Sequence, residues 1–166
     1  MTPIDYANRV AKVRNSLDAW QLDAVFITPG SDLRYLTGYD ALPLERLTCL
    51  TITGRGNSVL LVPRLELPAA QQHELDKFGI EVISWEETQD PIEMLAKLIG
   101  PVETAAVNDS MWAQKALGIQ STFQIRLQSA GRLISDIRAI KDPAEIEAIT
   151  HAGAAIDEVH SNMSKW

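Results

Sequence analysis

Between residues 80 and 128, three short apolar segments, "IEVISW" (80–85), "TAAVN" (104–108) and "FQIRLQ" (123–128), are separated by stretches of helical periodicity near 90–99 and 110–117. A strand followed by a helix long enough to recross a sheet delivers the next strand parallel to the first. This alternation limits the chain to an α/β layout, a mostly parallel sheet covered by helices. Gly100 and Gly118 stand where those two helices are expected to stop.

Upstream the pattern changes. "LTCLTIT" (47–53) and "SVLLVP" (58–63) are joined by "GRGN", which has the length and composition of a hairpin loop, so this pair is expected to be antiparallel. "LDAVFIT" (22–28) reads as a buried strand ending at Pro29-Gly30, and Ser31 can cap a brief helix through "DLRYL" up to Thr37-Gly38. A first helix is predicted over 3–20, with Thr2 as cap, Pro3 in its first turn, and Tyr6, Val10, Val13 and Leu17 on one face. Another is predicted near 65–78. Residues 1–134 therefore make a three-layer α/β sandwich around a mixed, mostly parallel sheet of about six strands.

The chain then begins a helix that this sandwich does not need. Asp142 is a good N-cap, Pro143 suits the first helical position, and Glu145 lies where the helix dipole favours an anion. Ile146, Ile149, Ala152, Gly153, Ile156 and Val159 form an apolar stripe along it. "SDIRAIKDP" (135–143) is the plausible boundary, placed near residue 134, and the stripe is expected to be partly exposed or covered by another surface.

Composition excludes several function classes. The formal charge of −7, with Lys and Arg scattered, opposes a phosphate backbone, so nucleic acid is not an expected partner. No apolar run approaches the roughly 20 residues that span a bilayer, and no membrane partner is expected. The first residues carry neither a basic region nor an apolar stretch, which makes the cytoplasm the expected location. Cys49, inside an apolar run, reads as a small buried hydrophobe.

Motifs for chemistry are equally sparse. Gly54 and Gly56 lie in the hairpin and not between strand and helix, so they do not form a phosphate loop, and no Gly-x-Ser-x-Gly elbow occurs. Asp157 with His160, and Glu147 with His151, have helical spacing, but a catalytic metal needs at least three converging ligands; a solvated face is the expectation. No catalytic residue and no metal ligand is assigned within these 166 residues. One segment stands apart: "TGYDALPLERLT" (37–48) presents Tyr39, Asp40, Leu44, Glu45 and Arg46 together after a strand and short helix.

Three separated segments, "RVAKVRNSLDAWQLDAVFITPGSDLRYLTGYD", "VLLVPRLE" and "IRAIKDPAEIEAITHAGAAID", agree in order and spacing with the amino-terminal half of the creatinase/prolidase family, which includes Xaa-Pro aminopeptidases and Xaa-Pro dipeptidases. The chain resembles that family over essentially its whole length. The resemblance implies a non-catalytic α/β domain over 1–134, with 135–166 as linker and first helix of a truncated "pita-bread" catalytic domain. That downstream domain would hold two divalent metal ions, such as Mn, Co or Zn, through two Asp, one His and two Glu; no cofactor is expected in this chain. Catalysis would be that of a metal-dependent Xaa-Pro peptidase, with this chain inactive alone. The implied partners are its own C-terminal domain, a second copy in a homodimer, and a peptide substrate with proline at the second position. Family dimers tend to place this loop at the mouth of the neighbouring subunit's active site. Arg46, Leu44 and Tyr39 are accordingly the implied substrate-binding residues, acting in trans, with Arg46 suited to a substrate carboxylate. Leu44 stands where the creatine-hydrolysing branch has an aromatic. A free-standing, non-enzymatic binding or regulatory module of the same fold is the alternative.

Overall fold

The computed structural model describes residues 2–56 and 58–163. Helix α1 (Tyr6–Ser16) is capped by Asp5, whose carboxylate accepts the Asn8 N–H at 2.9 Å. The helix thus starts later than the Thr2 cap implied. Residues before Asp5 lie outside it, and the Thr2 N–H donates to Glu147 145 positions away. Val10, Val13 and Leu17 are fully buried, as their spacing required.

Strand β1 (Ala24–Ile27) leads through Gly30 into α2 (Ser31–Thr37). Gly30, not Ser31, is the cap residue: the backbone turns there at φ 145°, which favours glycine, and Ser31 is drawn into the helix. β2 (Cys49–Thr53) and β3 (Ser58–Pro63) pair antiparallel, with Leu50 opposite Leu60, as the hairpin spacing predicts. The helix predicted near 65–78 is broken into a 3-10 turn at Arg64–Glu66, α3 (Leu67–Gln71) and a second 3-10 turn at Leu75–Phe78. Pro68 lies in the first turn of α3, where its missing N–H does no harm, and Glu74 takes a left-handed φ of 48° that no helix interior tolerates.

β4 (Ile80–Trp85), α4 (Pro91–Ile99) and β5 (Thr104–Val107) follow closely where expected. α5 (Ala113–Phe123) does not stop at Gly118 but runs past it to Gln124, which adopts φ 54°. Gly118 serves close packing: a Cβ there would lie 2.7 Å from the Ile92 Cδ1 of α4. Phe123 consequently belongs to the helix, its ring 5.4 Å from that of Phe26, and β6 begins later, at Arg126–Ser129. Helix α6 (Gly131–Ala139), not expected from the sequence, runs through residue 134 and buries Leu133 and Ile134 in the same core as α1. α7 (Pro143–Asn162) is capped by Asp142, as predicted.

The sheet order is β4-β3-β2-β1-β5-β6. β1 runs antiparallel to β2 and parallel to β5; β3–β4 and β5–β6 are also parallel. Side chains alternate between two cores. Val25, Ile27, Leu50, Ile52, Leu60 and Val62 face α1, α2 and α6, while Ala24, Phe26, Cys49 and Leu61 face α4 and α5. This is the three-layer α/β sandwich with a mixed sheet. Among the described residues, no helix is long and apolar enough to cross a membrane.

Two local details fix neighbouring elements to each other. Gly38 ends α2 at φ 75°, and a Cβ there would meet the Tyr6 hydroxyl at 2.8 Å. Gly38→Ala is expected to cost about 1–3 kcal/mol through left-handed strain and displacement of Tyr6, read as a lower urea midpoint at unchanged slope. Asp23 joins the start of β1 to that of β5: its carboxylate accepts the N–H groups of Thr104 at 3.0 Å and Glu103 at 2.9 Å. Those backbone donors, Thr104 first, hold its pKa below the usual aspartate value. The stabilisation is therefore present above the unfolded-state pKa of about 3.9 and is lost as pH falls through the lower folded value. Asp23→Ala should lower the thermal midpoint at pH 7, and the difference from the parent chain should shrink as pH falls through the lower folded value.

Candidate functional site

Ligands of α/β sheets collect beyond the carboxyl ends of parallel strands, at the point where the strand order reverses. Here that point lies between β1 and β5, because the chain builds outward from β1 through β2, β3 and β4 and then returns to place β5 on β1's other side. Asn108, fully buried, occupies it. Its Oδ1 accepts the N–H and hydroxyl of Thr28 at 2.9 and 3.1 Å, and its Nδ2 donates to the Ser110 hydroxyl at 2.8 Å. This crevice is stitched together by its own hydrogen bonds.

The segment at 37–48 lies at the same end of the sheet, because β2 is antiparallel to β1 and its first residues adjoin the last of β1. It divides into an anchored start and a supported end. Beyond Gly38, the Tyr39 N–H donates to the Thr37 hydroxyl at 3.0 Å, and that hydroxyl donates to the Leu33 carbonyl at 2.7 Å. The Tyr39 side chain is 5% exposed and its ring lies 5.2 Å from that of His73. Burial, with the Glu66 charge, raises the Tyr39 pKa. Tyr39 is thus packed in the core, unlike the exposed Leu44.

The other end is held from beneath. Lys115 of α5, 8% exposed, donates from Nζ to the Leu44 carbonyl at 2.6 Å and the Arg46 carbonyl at 3.2 Å, and sits 4.9 Å from the centroid of the Trp112 ring. Burial lowers its pKa, opposed by the carboxylates of Glu45 and Glu66. The Trp85 indole N–H donates to the Leu47 carbonyl at 2.8 Å, and the Thr48 hydroxyl donates to Glu66 at 2.9 Å. With its carbonyls fixed, the segment presents Leu44, 39% exposed, and Arg46, whose Nε lies 3.0 Å from Glu87. That ion pair engages one edge of the guanidinium; the remaining N–H groups suit a planar anion such as a carboxylate. Sequence reasoning missed Lys115, Trp112, Trp85 and Glu66, and nothing in the local pattern marks Lys115 as an inward-facing lysine.

On α7, Glu147, His151, Asp157 and His160 lie on a helix whose residues 148–161 are all exposed. Among the described residues, no group of three or more His, Cys, Asp or Glu converges as a metal site would require, so none of them is assigned to hold an ion. Cys49 is completely buried, and burial pushes its thiol up to about 12, which removes it as a nucleophile at neutral pH.

Comparison with known proteins agrees with this architecture. The profile of the Creatinase/Prolidase N-terminal domain matches residues 9–140. A probable dipeptidase PepE from Mycobacterium bovis is 36% identical over 163 residues, covering 97% of this chain and 43% of the relative. The crystal structure of dipeptidase PepE from Mycobacterium ulcerans superposes with a TM-score of 0.87 at 35% identity, over 95% of this chain and 43% of that one. A recombinant prolidase from Thermococcus sibiricus gives 0.83 at 28% identity, over 99% and 45%. The chain thus spans less than half the length of these relatives. With a matching profile across most of its length and the same mixed sandwich, this chain belongs to the creatinase/prolidase family and forms its N-terminal domain.

Proposed function

We propose that the chain is the non-catalytic N-terminal domain of a metal-dependent Xaa-Pro peptidase, of aminopeptidase P or prolidase type, and that α7 carries it into the catalytic domain. The observation that supports this most directly is α7 itself. Ile146, Ile149, Ile156, Val159 and Met163 are each more than half exposed, an apolar stripe that a soluble monomer seldom leaves bare. Coverage of only 43% of the dipeptidase relatives leaves ample polypeptide to cover it. The two divalent ions would be held by residues of that polypeptide and would supply an activated hydroxide when bound.

Within such an enzyme the sandwich assembles a homodimer, and the 37–48 segment lines the substrate entrance of the partner subunit. Lys115 and Trp85 hold the segment's backbone and Glu66 holds the Thr48 side chain, so that Arg46 and Leu44 are offered on a fixed frame. Arg46 receives a substrate carboxylate and Leu44 supplies apolar contact beside it; the burial of Tyr39 confines it to supporting the loop from below.

The purified 166-residue chain, supplied with Mn, should show no cleavage of a Xaa-Pro dipeptide, whereas the continuous protein should cleave it; turnover by the chain alone would sink the proposal. In the continuous protein, Arg46→Ala should raise KM about 10-fold or more, the worth of a charge-assisted hydrogen bond pair, while the dimer remains intact by light scattering. Unchanged kinetics would return Arg46 to an ion pair with Glu87.

A further inference from the structure

Arg9 is an unusual residue for a helix of this kind: a guanidinium that is 4% exposed. A buried cation is tolerated only when its donors are met and its charge is balanced. Nη1 donates to the Tyr35 carbonyl at 2.9 Å. Nε and Nη2 both donate to Asp142 Oδ2, at 3.3 and 2.7 Å, and Nη2 lies 3.5 Å from Glu145 Oε2. The guanidinium carbon sits 4.1 Å from the centroid of the Tyr35 ring and 5.7 Å from that of Tyr6. Arg138 of α6 approaches the Tyr35 ring at 5.2 Å and pairs with Asp32 at 3.1 Å. Residues from α1 and α2 thus meet the first turn of α7 at one cation, and α6 reaches the same Tyr35 ring through Arg138.

Asp142 divides its two oxygens between separate tasks. Oδ1 accepts the Glu145 N–H at 2.8 Å, while the Glu145 carboxylate accepts the Asp142 N–H at 3.0 Å, which closes a capping box and starts the helix. Oδ2 is left for Arg9. Burial works against the Asp142 charge, but the Arg9 and Glu145 hydrogen bonds outweigh it and hold its pKa low. Cap and tether are therefore made by one carboxylate, and one can be removed without the other. Farther along, Ala144 is the buried residue of α7 and everything over 148–161 is exposed, so the body of the helix has no packing to aim it.

We propose that Arg9 is a positioning residue: its grip on Asp142 and Glu145 fixes the direction in which α7 leaves the sandwich. The consequence for a following catalytic domain rests on the function proposed above; the direction of α7 does not. The Thr2 N–H, donating to Glu147 at 2.8 Å, adds a second strap from the same end of the chain. The test uses the chain itself, with spin labels on Asn15→Cys in α1 and Asp157→Cys in α7, both exposed positions. Cys49, fully buried, stays unlabelled. The parent chain should give a single narrow distance maximum by pulsed electron resonance. Arg9→Met should lose that maximum in favour of a broad distribution, and Arg9→Lys, which keeps the charge without the planar fork, should restore part of it. Asp142→Asn keeps an oxygen for the cap and replaces the Arg9 acceptor by an amide, so it should preserve helix content by circular dichroism and still broaden the distribution; it also decides the matter if Arg9→Met fails to fold. A narrow maximum retained in Asp142→Asn would overturn the proposal. Since no peptidase activity is measured, failure here and failure of the peptidase reading are separate results.

Discussion

Burying β1 on both faces leaves its N–H and C=O groups no access to water, so each edge must carry a hydrogen-bonded neighbour. Ala24, Val25, Phe26 and Ile27 are all 0% exposed. β2 satisfies one edge and β5 the other, from opposite directions of approach. The mixed character of the sheet follows, as does its division into two cores, because alternate residues of one strand must be covered by helices on both sides. The reversal of strand order beside β1 also decides which chain ends converge near Asn108 and why the 37–48 segment opens at that same end.

What the sequence reveals of this arrangement is what periodicity can encode. Strand and helix alternation after residue 80 and the 47–63 hairpin translate directly into β2 to β5, because each is a local pattern. The departures occur where a distant residue decides. Helix α6 begins with no capping side chain at Ala130; instead the Gly131 N–H donates to the Ser129 hydroxyl at 3.0 Å, and the Ser129 hydroxyl donates to the carboxylate of Asp109, at the end of β5. A Cβ at Gly131 would collide with that carboxylate, so this glycine is a close-approach position set by a residue 22 places away. Gly118, which reads as a helix stop, is likewise explained by Ile92 on a neighbouring helix.

The candidate site shows the same limit more sharply. Its loop could be picked out by composition and by family resemblance, yet the groups that hold it are remote: Lys115 lies 71 positions from Leu44 and Trp85 lies 38 from Leu47. A lysine inside an amphipathic helix normally reads as solvated, and only the fold reveals that two backbone carbonyls accept its hydrogen bonds. Tyr39 is the reverse case, a polar aromatic beside a loop that belongs to the core because the left-handed cap of α2 lies one residue earlier. Loop positions with supported backbones differ from ordinary connections: the ordering entropy of residues 44–48 is lost on folding, before any ligand arrives.

The 20-residue length of α7 gives its first turn an uncommon mechanical gain. At 1.5 Å per residue the helix reaches roughly 30 Å, so a 10° error in its direction at Asp142 displaces the far end by about 5 Å. Reacting groups in enzymes tolerate misplacement of only about 1 Å before rates fall. If α7 carries a catalytic domain, as proposed, a tolerance of about 1 Å at its far end corresponds to about 2° at Asp142, where a few hydrogen bonds around one arginine meet the helix. Small changes at that cation, far from any chemistry, are thereby amplified in proportion to the length of the arm they support.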